Sequence, residues 1–504
     1  MQIPAKRSRS FIACFRSSQT LDGISAPPDV QKMNKATDDA SNGTQITSPV
    51  PIRSSVSAKW NGISELVRSD SPMAKGLEDM LARVDLQGLC SIASALRDGR
   101  SCVVSEKYTC GAYNLVFEVV FDDGVSWIAR LRSAASMQVV SSELVFESPK
   151  YKQHIMESEV ATMRYVRQHT TIPVPEVYAF DTTSMNPARS PYILMECIHG
   201  WRTPLKLQDL PDAVLQHILD QLADVLVQLS ALQFKQIGYL HDDVDGQYRI
   251  DAMLDRKGKR VGPLSSAGDY YKWRADQPLN RSNESVVDIQ EASFHAYLYR
   301  LALPFLMNGV RNDGPFPLAH NDLGVHNVLF DDKWKLVGVI DWSGACVVPW
   351  ESFAQFPGGV MLGPHLRKEC SETFYQSNRF RQRVFLESMK QYEEESKNKS
   401  GISVYKLLSN PRTELAQCVE QYDLASLRRK YRRKLCALLF GPDVDAEALK
   451  RSVTKSELFS EVGVGIYTNG HDRKSLDTGI ENDVVLIGGK KREEGDWLHT
   501  RGRS

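Results

Sequence analysis

The sequence predicts an α+β chain in which a strand-rich part precedes a helix-rich part, with unstructured ends. Three observations carry that expectation. Two β-rich runs, Tyr108 to Val120 and Val125 to Arg132, flank Phe121-Asp122-Asp123-Gly124, and an Asp-Gly pair between such runs signals a hairpin. Leu210 to Phe234 places Val214, Leu215, Ile218, Leu219, Leu222, Val225, Leu226 and Leu229 at i, i+3, i+4 spacing, the stripe of a long amphipathic helix. The ends are rich in Ser, Thr, Pro, Asp, Gly and Lys/Arg and poor in aromatics, so they bury too little surface to offset chain entropy. Disordered tails are therefore expected over 1–70 and 461–504.

The remaining elements follow in order. Leu86, Leu89, Cys90, Ile92, Ala93 and Leu96 recur at helical spacing, and Gly99 is the stop. Glu157 to His169 reads as a helix that ends before Pro173-Val174-Pro175. Pro191 to Glu196 reads as a buried strand. No internal repeat is evident, which removes solenoids and propellers.

Composition narrows the function class. The 504 residues carry 62 Lys+Arg against 62 Asp+Glu, so no charge imbalance points to nucleic acid or to an anionic membrane. Apolar runs such as Leu301 to Met307 fall far short of the roughly 20 residues that span a bilayer. Nine cysteines without a CxxC pair favour reduced thiols in an intracellular compartment. Cytoplasmic placement is expected. The alternative is mitochondrial, from Lys6, Arg7, Arg9 and Arg16 ahead of the first acid, Asp22.

The chemistry concentrates at His320-Asn321-Asp322-Leu323-Gly324-Val325-His326-Asn327, followed by Val328 to Ile340 with a turn at Asp331-Asp332-Lys333, then Asp341-Trp342. An HxDxxxxN loop, a hairpin and a second Asp suit phosphoryl transfer: one Asp meets a substrate hydroxyl, while the Asn and the later Asp hold metal across the phosphates. Such a transfer needs alignment and neutralisation of spreading charge rather than covalent help. The bland reading is that Asp322 and Asp341 merely cap turns.

These residues resemble the aminoglycoside phosphotransferase-like (choline kinase-like) branch of the protein-kinase-like superfamily, in its fungal form, over roughly 86–440. The resemblance implies a bilobal kinase-like fold: an antiparallel nucleotide-binding lobe over 86–198 and a mainly helical catalytic and substrate lobe over 199–460. It implies Asp322 as the catalytic Asp, His320 as the residue that structures its loop, and Asn327 and Asp341 as ligands of Mg2+. Cys110-Gly111-Ala112-Tyr113-Asn114 resembles the loop over the phosphates of ATP, with Gly111 and Asn114 as its contacts. Arg130, in Trp127 to Leu131, matches the phosphate-binding cation. Arg132 lies on the same side of the strand and is the rival. Glu159 matches the acid that orients this cation, or else is an exposed acid at a helix start. Tyr192 to Gly200 resembles the linker between lobes, where backbone groups of Glu196 and Ile198 would meet adenine. The expected activity is transfer of the γ-phosphoryl of ATP to a hydroxyl of a small molecule, without nucleic-acid or membrane partners. The alternative is a catalytically weak nucleotide-binding or scaffold protein, motivated by the single loop glycine and by Arg in the usual Lys position.

Three other segments are set aside. His241-Asp242-Asp243-Val244-Asp245-Gly246 lacks the order of a calcium loop and reads as a solvated turn. Gly463-Val464-Gly465 lacks the third glycine and the helix of a dinucleotide fingerprint. Arg428 to Lys434 is a basic run interleaved with Leu427, Tyr431, Leu435 and Leu439, hence an amphipathic helix with a solvated basic face. Pro349-Trp350-Glu351 has no role beyond packing. HExxH, GxSxG and Walker A patterns do not occur.

Overall fold

A computed structural model describes residue 56, residues 60–62 and residues 72–454, except for 111–113, 133–138, 141–142, 145–147, 202–209, 244, 256–257, 277–285, 308–311, 360–371, 397–400 and 419–424. The tail over 461–504 and nearly all of the tail over 1–70 lie outside the described residues, as does Gly463-Val464-Gly465. The chain forms two compact units, residues 1–272 with 304–420, and residues 273–303 with 421–504. All of the expected site residues belong to the first.

The first unit holds a six-stranded antiparallel sheet: β1 (Asn61–Gly62), β2 (Cys102–Cys110), β3 (Asn114–Phe121), β4 (Ser126–Arg132), β5 (Val177–Asp181) and β6 (Tyr192–Glu196), ordered β1-β2-β3-β4-β6-β5. The expected hairpin is β3–β4. Gly124 closes it with φ +80°, a left-handed conformation that glycine adopts without cost, and Val125 O accepts from Phe121 N at 2.9 Å. The run expected as one strand from Tyr108 is divided, since 108–110 complete β2 and β3 begins at Asn114. Beneath the sheet, α1 (Pro72–Arg83) precedes α2 (Leu86–Ala95), whose N-cap Asp85 accepts from Gly88 N at 2.8 Å. Leu89, Leu115, Phe117, Val119 and Leu194, all fully buried, form the core between α2 and the sheet.

α3 (Pro149–His169) starts eight residues before the expected Glu157. Ser148 caps it by accepting from Tyr151 N, and Pro149 sits in its first turn, where a missing N–H costs nothing. Glu159 is thus an interior helix residue, not an acid at a helix start.

Beyond the sheet, α4 (Asp212–Ala231) matches the long amphipathic expectation, with Leu215, Ile218, Leu219, Leu222, Val225, Leu226 and Leu229 buried; residues 233–234 leave the helix as a short strand. A hairpin of β7 (Tyr239–Asp242) and β8 (Tyr248–Asp251) packs against α3. His241 lies in β7 and is 5% exposed, so the solvated-turn reading fails for it; the turn proper is Asp243 to Gln247, where Asp243 Oδ1 accepts from two backbone N–H groups. Then come β9 (Phe316–Ala319), β10 (Val328–Phe330) and β11 (Leu336–Val339), the last two an antiparallel pair. Among the described residues no helix is long and apolar enough to cross a membrane.

In the second unit, α5 (Ala425–Phe440) carries the basic run, with Tyr431 and Leu435 buried as helical spacing predicts. Its basic face is not wholly solvated. Arg432 is buried and pairs with Glu447.

Candidate active site

Asp322 sits on the loop between β9 and β10. Its side chain is 64% exposed, whereas the residues that hold the loop are buried: His320 at 2% and Asn327 at 4%. His320 Nε2 donates to Ile340 O at 3.1 Å, and the His320 ring lies 4.5 Å from that of Trp342. Burial holds His320 below the usual histidine range, so a neutral ring with Nε2 protonated serves as the tie. Asn327 Nδ2 donates to Asp322 O at 2.9 Å and to Asp322 Oδ2 at 3.1 Å, while Asn327 O accepts from Ile340 N at 2.9 Å. The loop is therefore fastened at both ends to the residue that precedes Asp341.

Asp341 follows β11 with φ +62°, a left-handed conformation that aspartate tolerates better than most residues. The next residue, Trp342, is anchored: its ring is fully buried and Nε1 donates to Val339 O at 2.9 Å. The Asp341 carboxylate, 48% exposed, faces Arg130.

Arg130 lies in the middle of the sheet between Val116 and Ile193. Its Nη2 donates to Asp341 Oδ1 at 3.0 Å, its Nη1 donates to Glu159 Oε1, and the amide oxygen of Asn114 accepts from Nη2 at 2.6 Å and from Nε at 2.9 Å. Burial opposes the guanidinium charge, but Glu159 and Asp341 outweigh it and hold Arg130 above the ordinary arginine value. Arg132 instead donates to Ser343 Oγ at 3.0 Å. Thus the structure brings Asn114, Arg130, Glu159 and Asp341 into one cluster, joined through Trp342 and Ile340 to Asp322, His320 and Asn327.

Three expected residues stand apart from this cluster. Gly111 lies outside the described residues. Glu196 ends β6 with its N–H committed to Glu176 O at 2.8 Å and its carboxylate accepting from Arg167, so only its carbonyl is left for a base. Ile198 packs against Gly338, and its backbone N–H has no intramolecular partner among the described residues.

Two contributors were not singled out from the sequence. His326 Nε2 lies 3.1 Å from Asp322 Oδ1, and its position four residues after the loop Asp was the available signal. Gly324 is needed for space rather than conformation: its φ is −170°, but a Cβ there would come 2.6 Å from Gly358 O. That close approach lets Gly358 O accept from Val325 N and Gly358 N donate to Leu323 O.

The donor chemistry suits a hard divalent cation. Asn327 spends its N–H groups on Asp322, which leaves its amide oxygen as a candidate donor, and the half-exposed Asp341 offers a second oxygen. An antiparallel sheet bearing a buried Arg–Glu pair, a helix behind it, and a loop–hairpin–Asp unit make an α+β arrangement. Comparison with known proteins agrees: residues 107–351 match the model of the phosphotransferase enzyme family, so the resemblance read from the sequence is borne out over that segment, shorter than the expected 86–440. A stretch of 182 residues is 29% identical to a subtelomeric hrmA-associated cluster protein of Aspergillus fumigatus, covering 36% of this chain and 33% of that protein. A stretch of 144 residues is 36% identical to altered inheritance of mitochondria protein 9, mitochondrial, of Zygosaccharomyces rouxii, covering 25% and 23%. The chain thus spans a third or less of the length of these curated relatives. Among solved structures, aminoglycoside phosphotransferase APH(4)-Ia is 16% identical over 76% of this chain and 100% of its own, with a TM-score of 0.39.

Proposed function

We propose that the protein transfers the γ-phosphoryl group of ATP to a hydroxyl of a small-molecule acceptor. The observation that carries this reading is the single cluster in which Arg130, Glu159 and Asp341 meet while Asp322 is presented to solvent on a loop tied to the same Asp341. Within it, Asp322 accepts a hydrogen bond from the acceptor hydroxyl and takes its proton late in the transfer. Arg130, oriented by Glu159 and Asn114, neutralises phosphate charge from the sheet side. Glu196 O and Ile198 N–H face the base. Asn327 and Asp341 are the oxygen donors that would hold Mg2+, which supplies charge neutralisation across the β- and γ-phosphates.

The reading is tested by Mg2+-dependent ATP binding. Affinity that rises with Mg2+ in the wild type and not in Asp341→Ala supports it, and identical behaviour in both sinks the metal assignment. The acceptor is then sought in a metabolite pool incubated with ATP, with Asp322→Ala as the blank. A second reading, nucleotide binding with little turnover, is favoured by the Arg130–Asp341 ion pair, in which Arg130 engages Oδ1 and competes with a metal for that carboxylate. ATP hydrolysis that is lost in Asp322→Asn while ATP still binds would count against it. The mitochondrial name of the Zygosaccharomyces relative, with the basic residues 6–16, turns the reading of location from cytoplasmic towards mitochondrial. A fusion lacking residues 1–20 that distributes as the full chain does would remove that idea.

A further inference from the structure

Away from the phosphotransfer cluster, His154 of α3, His241 of β7 and Asp251 of β8 converge, each offering one ligand atom within 4.8 Å of the others. Both histidines are buried, His154 at 7% and His241 at 5% exposure, and their rings lie 4.3 Å apart. Two neutral imidazoles gain little from such a placement on their own. His241 Nε2 is fully buried with no hydrogen-bond partner, a costly arrangement for a ring nitrogen with no ligand to receive it.

The surroundings are those of ligands prepared for a metal. His154 Nε2 donates to Ala252 O at 2.7 Å, which leaves the lone pair on Nδ1 and fixes the ring, the usual outer support of a metal-bound histidine. Asp251 Oδ1 accepts from Ala252 N at 2.7 Å and from Arg260, so the carboxylate is anchored and Oδ2 is its available donor. Glu157, one turn beyond His154 on α3, places Oε2 4.0 Å from His241 Nδ1 while Gln153 holds its Oε1, so it stands as outer support on the ring edge away from Nε2. Two imidazole nitrogens with one carboxylate form a borderline donor set, which suits zinc and not Mg2+ or Ca2+. A tetrahedral zinc with bonds of about 2.1 Å spaces its donors about 3.4 Å apart. Small rotations of the rings and carboxylate close the site to that spacing.

We propose that His154, His241 and Asp251, with a water in the fourth position, form a Zn2+ site that ties α3 to the β7–β8 hairpin. Because α3 also carries Glu159, the metal would brace the helix that orients Arg130. The site lies outside the loop and hairpin that hold Asp322, Asn327 and Asp341.

The test uses the full chain stripped with a chelator, then titrated with Zn2+ against a chromophoric competitor and with Co2+ as a spectroscopic probe. One tight equivalent is expected, with the visible absorption of four-coordinate cobalt, no thiolate-to-cobalt band, and a higher thermal midpoint. His154→Gln and His241→Gln should each bind at least about tenfold more weakly. Asp341→Ala should bind as the wild type does, which separates this site from the proposed magnesium site. Absence of a tight equivalent, a thiolate band for that equivalent, or wild-type affinity in both histidine variants would overturn the proposal. The wild-type spectrum decides the ligand class even where a variant fails to fold.

Discussion

Arg130 Nη2 donates to Asp341 Oδ1 at 3.0 Å, joining residues 211 positions apart. The same guanidinium bonds Glu159, which is 1% exposed and has no other polar partner for Oε2. One cation therefore satisfies the sheet, the helix and the catalytic loop together. Removing it strands a buried carboxylate, which costs about 3–5 kcal/mol. Arg130→Met is expected to lose stability of that order in urea denaturation, and Arg130→Met with Glu159→Leu to recover most of it. Strictly additive losses in the double variant would show that the pair is not coupled.

In the proposed transfer, His326 would act through Asp322 rather than on substrate. Truncation in His326→Ala removes the hydrogen bond to Asp322 Oδ1 and leaves Oδ2 held by Asn327 alone, so turnover should fall, by up to about 100-fold, while KM for ATP stays unchanged. His326→Gln, which keeps a hydrogen-bonding nitrogen, should restore part of the rate. A parallel change in KM for ATP would assign His326 to nucleotide binding instead.

Gly324→Ala tests the contact between the loop and Gly358. The added methyl would meet Gly358 O at 2.6 Å, and because the obstacle is backbone the loop itself must shift. A loss of about 1–3 kcal/mol is expected by thermal melting, together with a fall in turnover. A stable, fully active Gly324→Ala protein would show that the loop is not held by this close approach.

Glu351 was expected only to pack, yet it is a carboxyl at 1% exposure, given one hydrogen bond by Tyr271 at 3.3 Å and with Oε1 unpartnered. Burial pushes it up to about 7 from 4.5. Between those values the folded chain keeps a proton that the unfolded chain has released, so stability falls as pH rises through this window and the full penalty stands above pH 7. Its size is roughly 3 kcal/mol. Glu351→Gln should therefore melt above the wild type at pH 8 and level with it at pH 4. An offset that does not vary with pH would assign the effect to packing.

Much of this was legible because local patterns coincide with tertiary structure. The Asp-Gly turn of β3–β4 and the apolar stripe of α4 are decided within a few residues of chain, and both appear where they were expected. The HxDxxxxN spacing has a local counterpart as well: Asn327 bonds back to Asp322 across one tight loop. Partnerships set by distant chain were not legible. Glu159 was matched to Arg130 only through the family resemblance, and the exposed helix-start acid stayed open beside it because the Ser148-Pro149 start of α3 was passed over and the partner lies far off on β4. His241 read as part of a polar turn because nothing nearby in sequence shows that β7 packs on α3.

Between Asn327 and Asp341 the chain forms a hairpin that α4 grips at its turn: Gln221 Nε2 donates to Trp334 O at 2.8 Å and Gln221 Oε1 accepts from Leu336 N at 2.6 Å. Asp331 closes the turn by accepting from Lys333 N and Lys335 N. The segment is thus a gauge of fixed length. Exposed side chains along it are free to vary, but inserting or deleting one residue would turn every later side chain of β11 to the opposite face and carry Asp341 away from Arg130. In this region selection should act on the number of residues more strongly than on their identity.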